Sequence, residues 1–394
     1  MEDNKEKAGA RTPAQTKKEP KTCLPMHHKD TNNSLIVRCV GDSYEVLADT
    51  VWISRKREIL KDMGVDLKAV PHYFGYTYKP DYLHYEEYPG GWVNMFHPLP
   101  VTPKEGEFPT VDKLLEHIFG DMKQKALDYL GICLKYPMQI LPVMCLGSPE
   151  NGTGKTAYAN FLKALFGENV GILTQSDLTS QFNGWAKYQH CIFEEITDTK
   201  KSQNMIKAVA TAKYITVNEK YRQPVSIRSC CHITILTNNL DTFIKAGNED
   251  VRYWVVQVPP IEEFDPDFEE KVRQEIPAFL YYLANTSIRT PKQSRMWFSP
   301  EDIETDALQR LRKESRSECA KDIEIWAETV GKNFYTSEND IYEELGRRYS
   351  FSQIRKALKQ ELGMKNPSRR YVDRFGNDHN GRAYFFPCGE DCPS

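Results

Sequence analysis

Residues 144–162 read MCLGSPENGTGKTAYANFL: an apolar run, a turn of small residues, then Gly154-Lys155-Thr156 leading into an amphipathic stretch. A phosphate chain is held by backbone N–H groups that converge on it, and the small residues Gly152, Thr153 and Gly154 leave that backbone unobstructed. Lys155 is placed to reach the β- and γ-phosphates of ATP, and the Thr156 hydroxyl to hold Mg²⁺. The strict spacing Gly-x-x-x-x-Gly-Lys-Ser/Thr asks for glycine at 149, where this chain has Pro149, with Gly147 two residues earlier. The first turn of the loop is therefore expected to differ. A chance Gly-Lys-Thr turn is the bland alternative, and the strand before it and helix after it argue against that.

A phosphate loop needs acidic and polar partners at neighbouring strand tips, and the sequence supplies three. In HCIFEEITD an apolar strand ends on Glu194-Glu195; the first carboxylate would orient Mg²⁺ and the second polarise the water that attacks the γ-phosphate. In CHITILTNN a strand ends on Thr237-Asn238, whose amide can touch both that phosphate and that water. In NEDVRYWVV Arg252 opens the next strand. Arginine stabilises charge on a transferred phosphoryl group and often acts across a subunit boundary; pairing with Glu249 or Asp250 is the structural alternative.

These four stations, in this order, resemble the superfamily 3 helicases of viruses and plasmids, with the nearest similarity to the helicase half of phage and poxvirus-type primase-helicases. The matching motifs are GSPENGTGKT, CIFEEI, ITILTNN and EDVRYWVV, with SDLTSQFNGW and GGWVNMFHPLP as flanking segments. The similarity runs from about Gly90 to Leu283. No catalytic carboxylates of a primase-polymerase are found upstream, so the chain looks like the motor without the primer-making half. The resemblance implies a P-loop NTPase of AAA+-like type and a homo-oligomeric, hexameric ring with ATP between subunits, where Arg252 completes the neighbour's site. It also implies translocation on single-stranded or forked DNA in phage or mobile-element replication, a separate primase or polymerase as partner, and residence in the cytoplasm (the host's, if phage-encoded).

Two regions are candidates for touching DNA. KYITVNEKYRQPVSIRS reads as a hairpin whose tip carries Lys220, Tyr221 and Arg222, two cations for phosphates and one ring for stacking. An ordinary charged hairpin tip has the same composition. Between Arg347 and Arg382 stand ten basic and three acidic residues, and the helix from Ser350, bearing Arg355, Lys356 and Lys359, would be the recognition helix of a winged helix. Many winged helices bind proteins instead. That leaves a second reading of the whole chain: an ATPase that loads or remodels a protein partner, with the winged helix as its interaction module. An RNA helicase is a third reading, and no RNA-stacking module is recognisable.

The elements that must position these groups follow from periodicity. Strands are expected at 140–146, 171–174, 189–194, 233–237 and 253–258, alternating with helices at 155–166, 202–211 and 268–284; alternation of this kind builds a mostly parallel, three-layered α/β core. Helical spacing over Val111–Leu134 precedes it. Ser317–Val330, Ser337–Arg348 and Ser350–Leu362 read as helices, with Ser337 and Ser350 as N-caps. A closing hairpin is expected from RRYVDRF through the turn GNDHNG to RAYFFP. The chain thus divides into a disordered tail at 1–33, a small α+β region at 34–105, a helical lead-in and oligomerisation segment at 106–140, the P-loop domain at 141–290 and a winged-helix-like domain at 300–394. The aromatic run from Tyr73 to Tyr88 is either a base-stacking surface or the cover of a small domain.

With 394 residues the chain is long enough for two or three such domains. Its 52 basic and 55 acidic side chains exclude a uniformly basic coat and leave room for local basic sites. No stretch approaches 18 consecutive apolar residues, so no membrane association is expected. The ten cysteines form no disulfide framework, and buried reduced thiols are expected. Cys388 and Cys392 with His379 only imitate a zinc site, at atypical spacing.

Overall fold

The computed structural model describes residues 27–28, 35–48, 51–196, 199–220, 224–240, 243 and 252–387, which fall into two compact units. The tail expected at 1–33 lies almost wholly outside the described residues.

The first unit comprises the chain up to Lys79 together with Glu86–Met95. Strands Leu35–Val40, Ser43–Ala48 and Val51–Arg55 pair antiparallel, and His72–Tyr73 adds parallel to the first. Alternation turns Val37, Cys39 and Val46 onto Leu60 of the short helix Arg57–Asp62. Arg38 and Glu45 are buried, and their charges are compensated: they pair at 2.8 Å, the Tyr76 hydroxyl also donates to Glu45, and Trp52 lies 3.9 Å under the guanidinium. In the aromatic run Tyr73 is buried and stacked on Tyr88 at 4.4 Å, so these two rings are structural cover and not a free stacking surface.

The second unit holds Pro80–Tyr85 and everything from Phe96 onward. Its first helices are α1 (Pro109–Phe119) and α2 (Lys123–Lys135). The single helix expected over Val111–Leu134 is broken because Gly120 takes φ +47°, where the chain turns through a 3₁₀ turn at Gly120–Met122. There follow β1 (Val143–Gly147), α3 (Lys155–Phe166), β2 (Val170–Leu173), α4 (Gln175–Thr179) and β3 (His190–Glu194). Next come α5 (Lys200–Thr211), β4 (Tyr214–Val217), β5 (Val225–Arg228), β6 (His232–Thr237), β7 (Tyr253–Gln257) and α6 (Phe268–Asn285). β1 starts after Pro142, which has no N–H to give a ladder, and not at residue 140 as the apolar run suggested.

The core sheet is five-stranded and parallel throughout, in the order β7-β1-β6-β3-β2, while β4 and β5 form a separate antiparallel hairpin. Every residue of β1 and β6 is buried, so both faces of the sheet are covered, as a parallel sheet requires. Trp254 and Phe279, both fully buried, anchor one face: Phe119 of α1 packs on Trp254, and Phe161 of α3 packs on Phe279 of α6. Buried Asp128 of α2 accepts from the backbone N–H groups of Arg289 and Thr290 at 3.0 and 2.8 Å, tying down the chain that leaves α6.

Beyond the core come α7 (Asp306–Glu314), α8 (Glu318–Val330), β8 (Phe334–Thr336), α9 (Glu338–Glu344) and α10 (Phe351–Lys356), the last continuing as a π turn to Glu361. Ser317, Ser337 and Ser350 each accept the backbone N–H three residues on, the latter two in complete capping boxes. β9 (Ser368–Val372) pairs with β10 (Asp378–Arg382), and β11 (Tyr384–Phe386) returns to β8. The closing hairpin therefore turns at 373–377 and not at GNDHNG. Asp373 fixes that turn by accepting from the N–H groups of Phe375 and Asn377 at 2.8 and 2.9 Å. The residues expected as the second hairpin strand instead stack Phe386 on Phe334, ring centroids 5.2 Å apart, in a core with Ile323, Ile341 and Ile354.

Candidate active site

In a parallel sheet all the strand tips point one way, and the ladder sets which tips lie level. Thr237 of β6 and Gln257 of β7 both sit opposite Gly147 of β1, and Glu194 of β3 sits opposite Leu236. The residues that leave these tips are Ser148, Glu195 and Asn238. β1 is also where the connections change direction: the chain leaves it for the far edge at β2, works back through β3 to β6, then crosses to β7 on the other side. Crevices of open α/β sheets form at such a switch point. Here it is a cleft of about 630 Å³ lined by 151–157, Glu194, Glu195, Asn238 and Ile261–Glu262.

The loop after β1 is shaped by its glycines. A β-carbon on Gly147 would stand 2.3 Å from Leu240 Cδ2, so only glycine lets β1 pass under Leu240. Gly154 takes φ +91° as the residue that opens α3, and no side chain caps that helix; its first N–H groups face the cleft end of the loop. Lys155 Nζ lies among oxygens of the loop itself, 3.1 Å from the Glu150 carbonyl and 3.1 Å from Thr153 Oγ1. Burial lowers the Lys155 ammonium's pKa, and Glu195 opposes that by attraction. Thr156 is exposed at the cleft.

Across the cleft, Glu194 is exposed, and its carboxylate has no hydrogen bond among the described residues. Glu195 adopts φ +50°, a left-handed geometry that a non-glycine residue holds only when its surroundings impose it. Two bonds do so: its N–H donates to the Leu236 carbonyl at 2.9 Å, and Asn238 Nδ2 donates to its Oε1 at 2.8 Å. The same Asn238 amide reaches Asn151 Oδ1 at 3.4 Å, so one side chain links the β6 tip, the acidic tip and the loop.

Gly152, Thr153, Gly154, Lys155, Thr156, Glu194, Glu195 and Asn238 are therefore brought to one cleft. Arg252 is not. It precedes Tyr253, which pairs with Val143, and its carbonyl accepts from the Val143 N–H at 2.6 Å. That is the other end of the sheet, roughly 16 Å from the Gly147 level at about 3.3 Å per residue. Glu249 and Asp250, its alternative partners, lie outside the described residues. Of the hairpin tip, Lys220 follows β4 and is exposed, while Tyr221 and Arg222 lie outside the described residues. In the C-terminal segment Lys356 and Lys359 are exposed. Arg355 is occupied: it donates to Glu338 from Nη2 at 2.7 Å and from Nε at 3.1 Å, and holds that carboxyl below its ordinary range. Cys388 and Cys392 lie outside the described residues, and His379 is bonded to Asp373 at 2.8 Å.

Two contributors carry no motif signal. His117 of α1 places Nε2 3.1 Å from the Thr153 carbonyl, bracing the loop from 36 residues away. Asn151 lies inside the loop motif at a position where any residue satisfies the pattern.

A profile of a family of unknown function (DUF5906) matches residues 146–252, the span from the end of β1 to Arg252. No curated protein sequence matches the chain. Among solved structures, the apo structure of the C-terminal region of NrS-1 (its residues 305–718) aligns with a TM-score of 0.62 at 19% identity, covering 89% of this chain and 95% of that one. An A-form apo structure of the same region aligns at 0.60 and 18%, over 89% and 96%. At such identities the likeness is one of fold.

Proposed function

We propose that this chain is an ATP-dependent motor of superfamily 3 type, a P-loop ATPase that assembles as a ring, moves on single-stranded DNA and unwinds duplex during replication of a phage or mobile element. The observation that carries it is the cleft at the sheet's switch point, where the glycine loop and Lys155 face Glu194, Glu195 and Asn238. Lys155 would exchange its loop oxygens for the β- and γ-phosphates of ATP. The donor set suits Mg²⁺, since Thr156 offers a hydroxyl and Glu194 a carboxylate with no partner among the described residues across the same cleft; when bound, the ion would neutralise phosphate charge. Glu195 would accept the proton of the attacking water, aimed by its bond to Asn238. Asn238 would thus position the base and, through Asn151, feel the loop.

Arg252 would serve the cleft of a neighbouring copy, since it stands at the far end of its own sheet, and Lys220, Tyr221 and Arg222 would meet DNA in the ring channel. The Arg355–Glu338 pair favours a narrower role for the C-terminal helix than base reading, and gives the protein-remodelling alternative its one support.

The test is phosphate release from ATP with and without single-stranded DNA at low salt. Hydrolysis should rise with DNA and fall at least about a hundredfold in Lys155→Ala. Hydrolysis that survives Lys155→Ala would overturn the site. Hydrolysis unmoved by DNA, with no DNA binding at low salt, would favour the remodelling reading.

A further inference from the structure

At the end of the sheet opposite the cleft, three side chains from distant parts of the sequence meet in the interior. They are Cys133 in the last turn of α2, His190 at the start of β3 and His232 at the start of β6. All three are buried, and one ligand atom from each lies within 4.8 Å of the other two. His190 and His232 are direct partners in the ladder, so their side chains leave the same face of the sheet. We propose that Cys133, His190 and His232 hold a thiophilic transition-metal ion, Zn²⁺ first.

Tetrahedral Zn²⁺, with thiolates at about 2.3 Å and imidazoles at about 2.0 Å, keeps its ligand atoms roughly 3.3–3.8 Å apart. Cys133 Sγ and His232 Nδ1 are already 3.4 Å apart. The other ring nitrogen of His232 is 2.8 Å from the Gln139 carbonyl, the outer contact that fixes a metal-binding imidazole with Nδ1 turned to the Cys133 sulfur. Gln189 fastens the backbone beside the first ligand, donating to the Cys133 carbonyl at 2.7 Å. His190 supplies the independent observation. Its ring is stacked on Phe166 at 4.2 Å and almost wholly buried, yet Nε2 has no hydrogen-bond partner among the described residues. A buried ring nitrogen left in that state is costly, and a bound metal ion in the cluster is one explanation for it.

Zn²⁺ held by one thiolate and two neutral imidazoles keeps a fourth coordination position open. The Cys133 thiol loses its proton to solvent as its sulfur–metal bond forms, and no electron is transferred. The ion would pin α2 to β3 and β6, a structural clamp unrelated to the oxygen donors of the cleft.

Metal analysis of the full chain purified without chelator should find about one zinc per chain. Refolding with Co²⁺ should give a thiolate-to-cobalt charge-transfer band and the intense visible bands of a tetrahedral centre. Cobalt standing in for Mg²⁺ among oxygens gives no thiolate band, so this readout is independent of the nucleotide site, and Lys155→Ala should keep the full signal. Cys133→Ser should reduce metal content to near zero, whereas Cys145→Ser, a buried thiol elsewhere, should not. Wild-type chain that folds without metal and shows no thiolate band with Co²⁺ would overturn the proposal whatever the variants do. So would zinc retained in full by Cys133→Ser.

Discussion

If Asn238 works through Glu195, removing Glu195 should make Asn238 nearly irrelevant. The Asn238 amide lies 2.8 Å from Glu195 Oε1, and Glu195 needs that hold because its backbone sits at φ +50°, a region costing a non-glycine residue about 1–2 kcal/mol. Both side chains are exposed, so the charge-assisted bond is set near the low end of its range, about 1.5 kcal/mol. If that energy is spent aiming the carboxylate, Asn238→Ala should lower kcat for ATP hydrolysis about tenfold and leave KM almost unchanged. Glu195→Gln removes the proton acceptor and should cost about 10²–10⁴ in kcat. In the double variant the aim of a side chain that no longer takes a proton has little left to affect, so the further loss should be under about twofold. The measurement is steady-state phosphate release for the four proteins of the cycle, with urea midpoints to show that stability is shared. Losses that multiply in the double variant would refute the positioning role and return Asn238 to direct contact with phosphate or water.

Gly147→Ala should destabilise the fold by about 1–3 kcal/mol through its clash with Leu240, and Leu240→Ala by about 2–5 kcal/mol. Urea denaturation of the double variant should show a loss at least about 1 kcal/mol smaller than the sum, because each change makes room for the other. Glu338 has its pKa lowered in the folded protein, first by Arg355 and then by the Tyr384 hydroxyl, so its stabilising effect is full above the unfolded carboxylate value of about 4.3 and is lost as pH falls through the folded one. Glu338→Gln should flatten the fall in melting temperature below about pH 4.3, and an unchanged fall would refute the assignment. Arg252→Ala and Lys155→Ala should each be inactive alone, yet a mixture of the two should regain up to about a quarter of wild-type hydrolysis if one subunit's arginine serves the next subunit's lysine. A mixture as inactive as its components would place Arg252 outside the chemistry.

The strand tips were legible in the sequence because each carries two signals at once. ILTNN and IFEEI pair a run of apolar residues, which only a sheet covered on both faces can bury, with polar residues that such a sheet cannot. Where the signal is single, the sequence is ambiguous. Val111–Leu134 keeps its helical spacing straight through Gly120, because periodicity does not report the backbone angle that breaks it. The glycines of GNDHNG point to a turn there, but Asp373 captures two backbone donors earlier, and Phe386 is buried against Phe334 in place of pairing as the second strand. Arg355 reads as a free cation until Glu338, seventeen residues away, is found beside it. His117 and the Cys133–His190–His232 cluster depend wholly on through-space packing and leave no trace in spacing.

One ladder governs both what the sequence revealed and what it hid. β3 and β6 run parallel in a fixed offset, His190 opposite His232 at one end and Glu194 opposite Leu236 at the other. Slipping either strand by one residue would turn its side chains to the opposite face. The slip would separate the two imidazoles, disturb the packing of Phe193 and Ile235, and break the Glu195–Leu236 bond that sets the left-handed turn. Core burial therefore enforces the register, and the register enforces the geometry at both ends without any added device. At the tips that open to solvent this leaves oxygen and amide donors around the loop; at the closed ends it leaves sulfur and imidazole in the dry interior. The polar tips interrupt an apolar run and so are visible in sequence, whereas His190 and His232 meet only through the ladder and Cys133 only through the packing of α2, neither of which sequence spacing records.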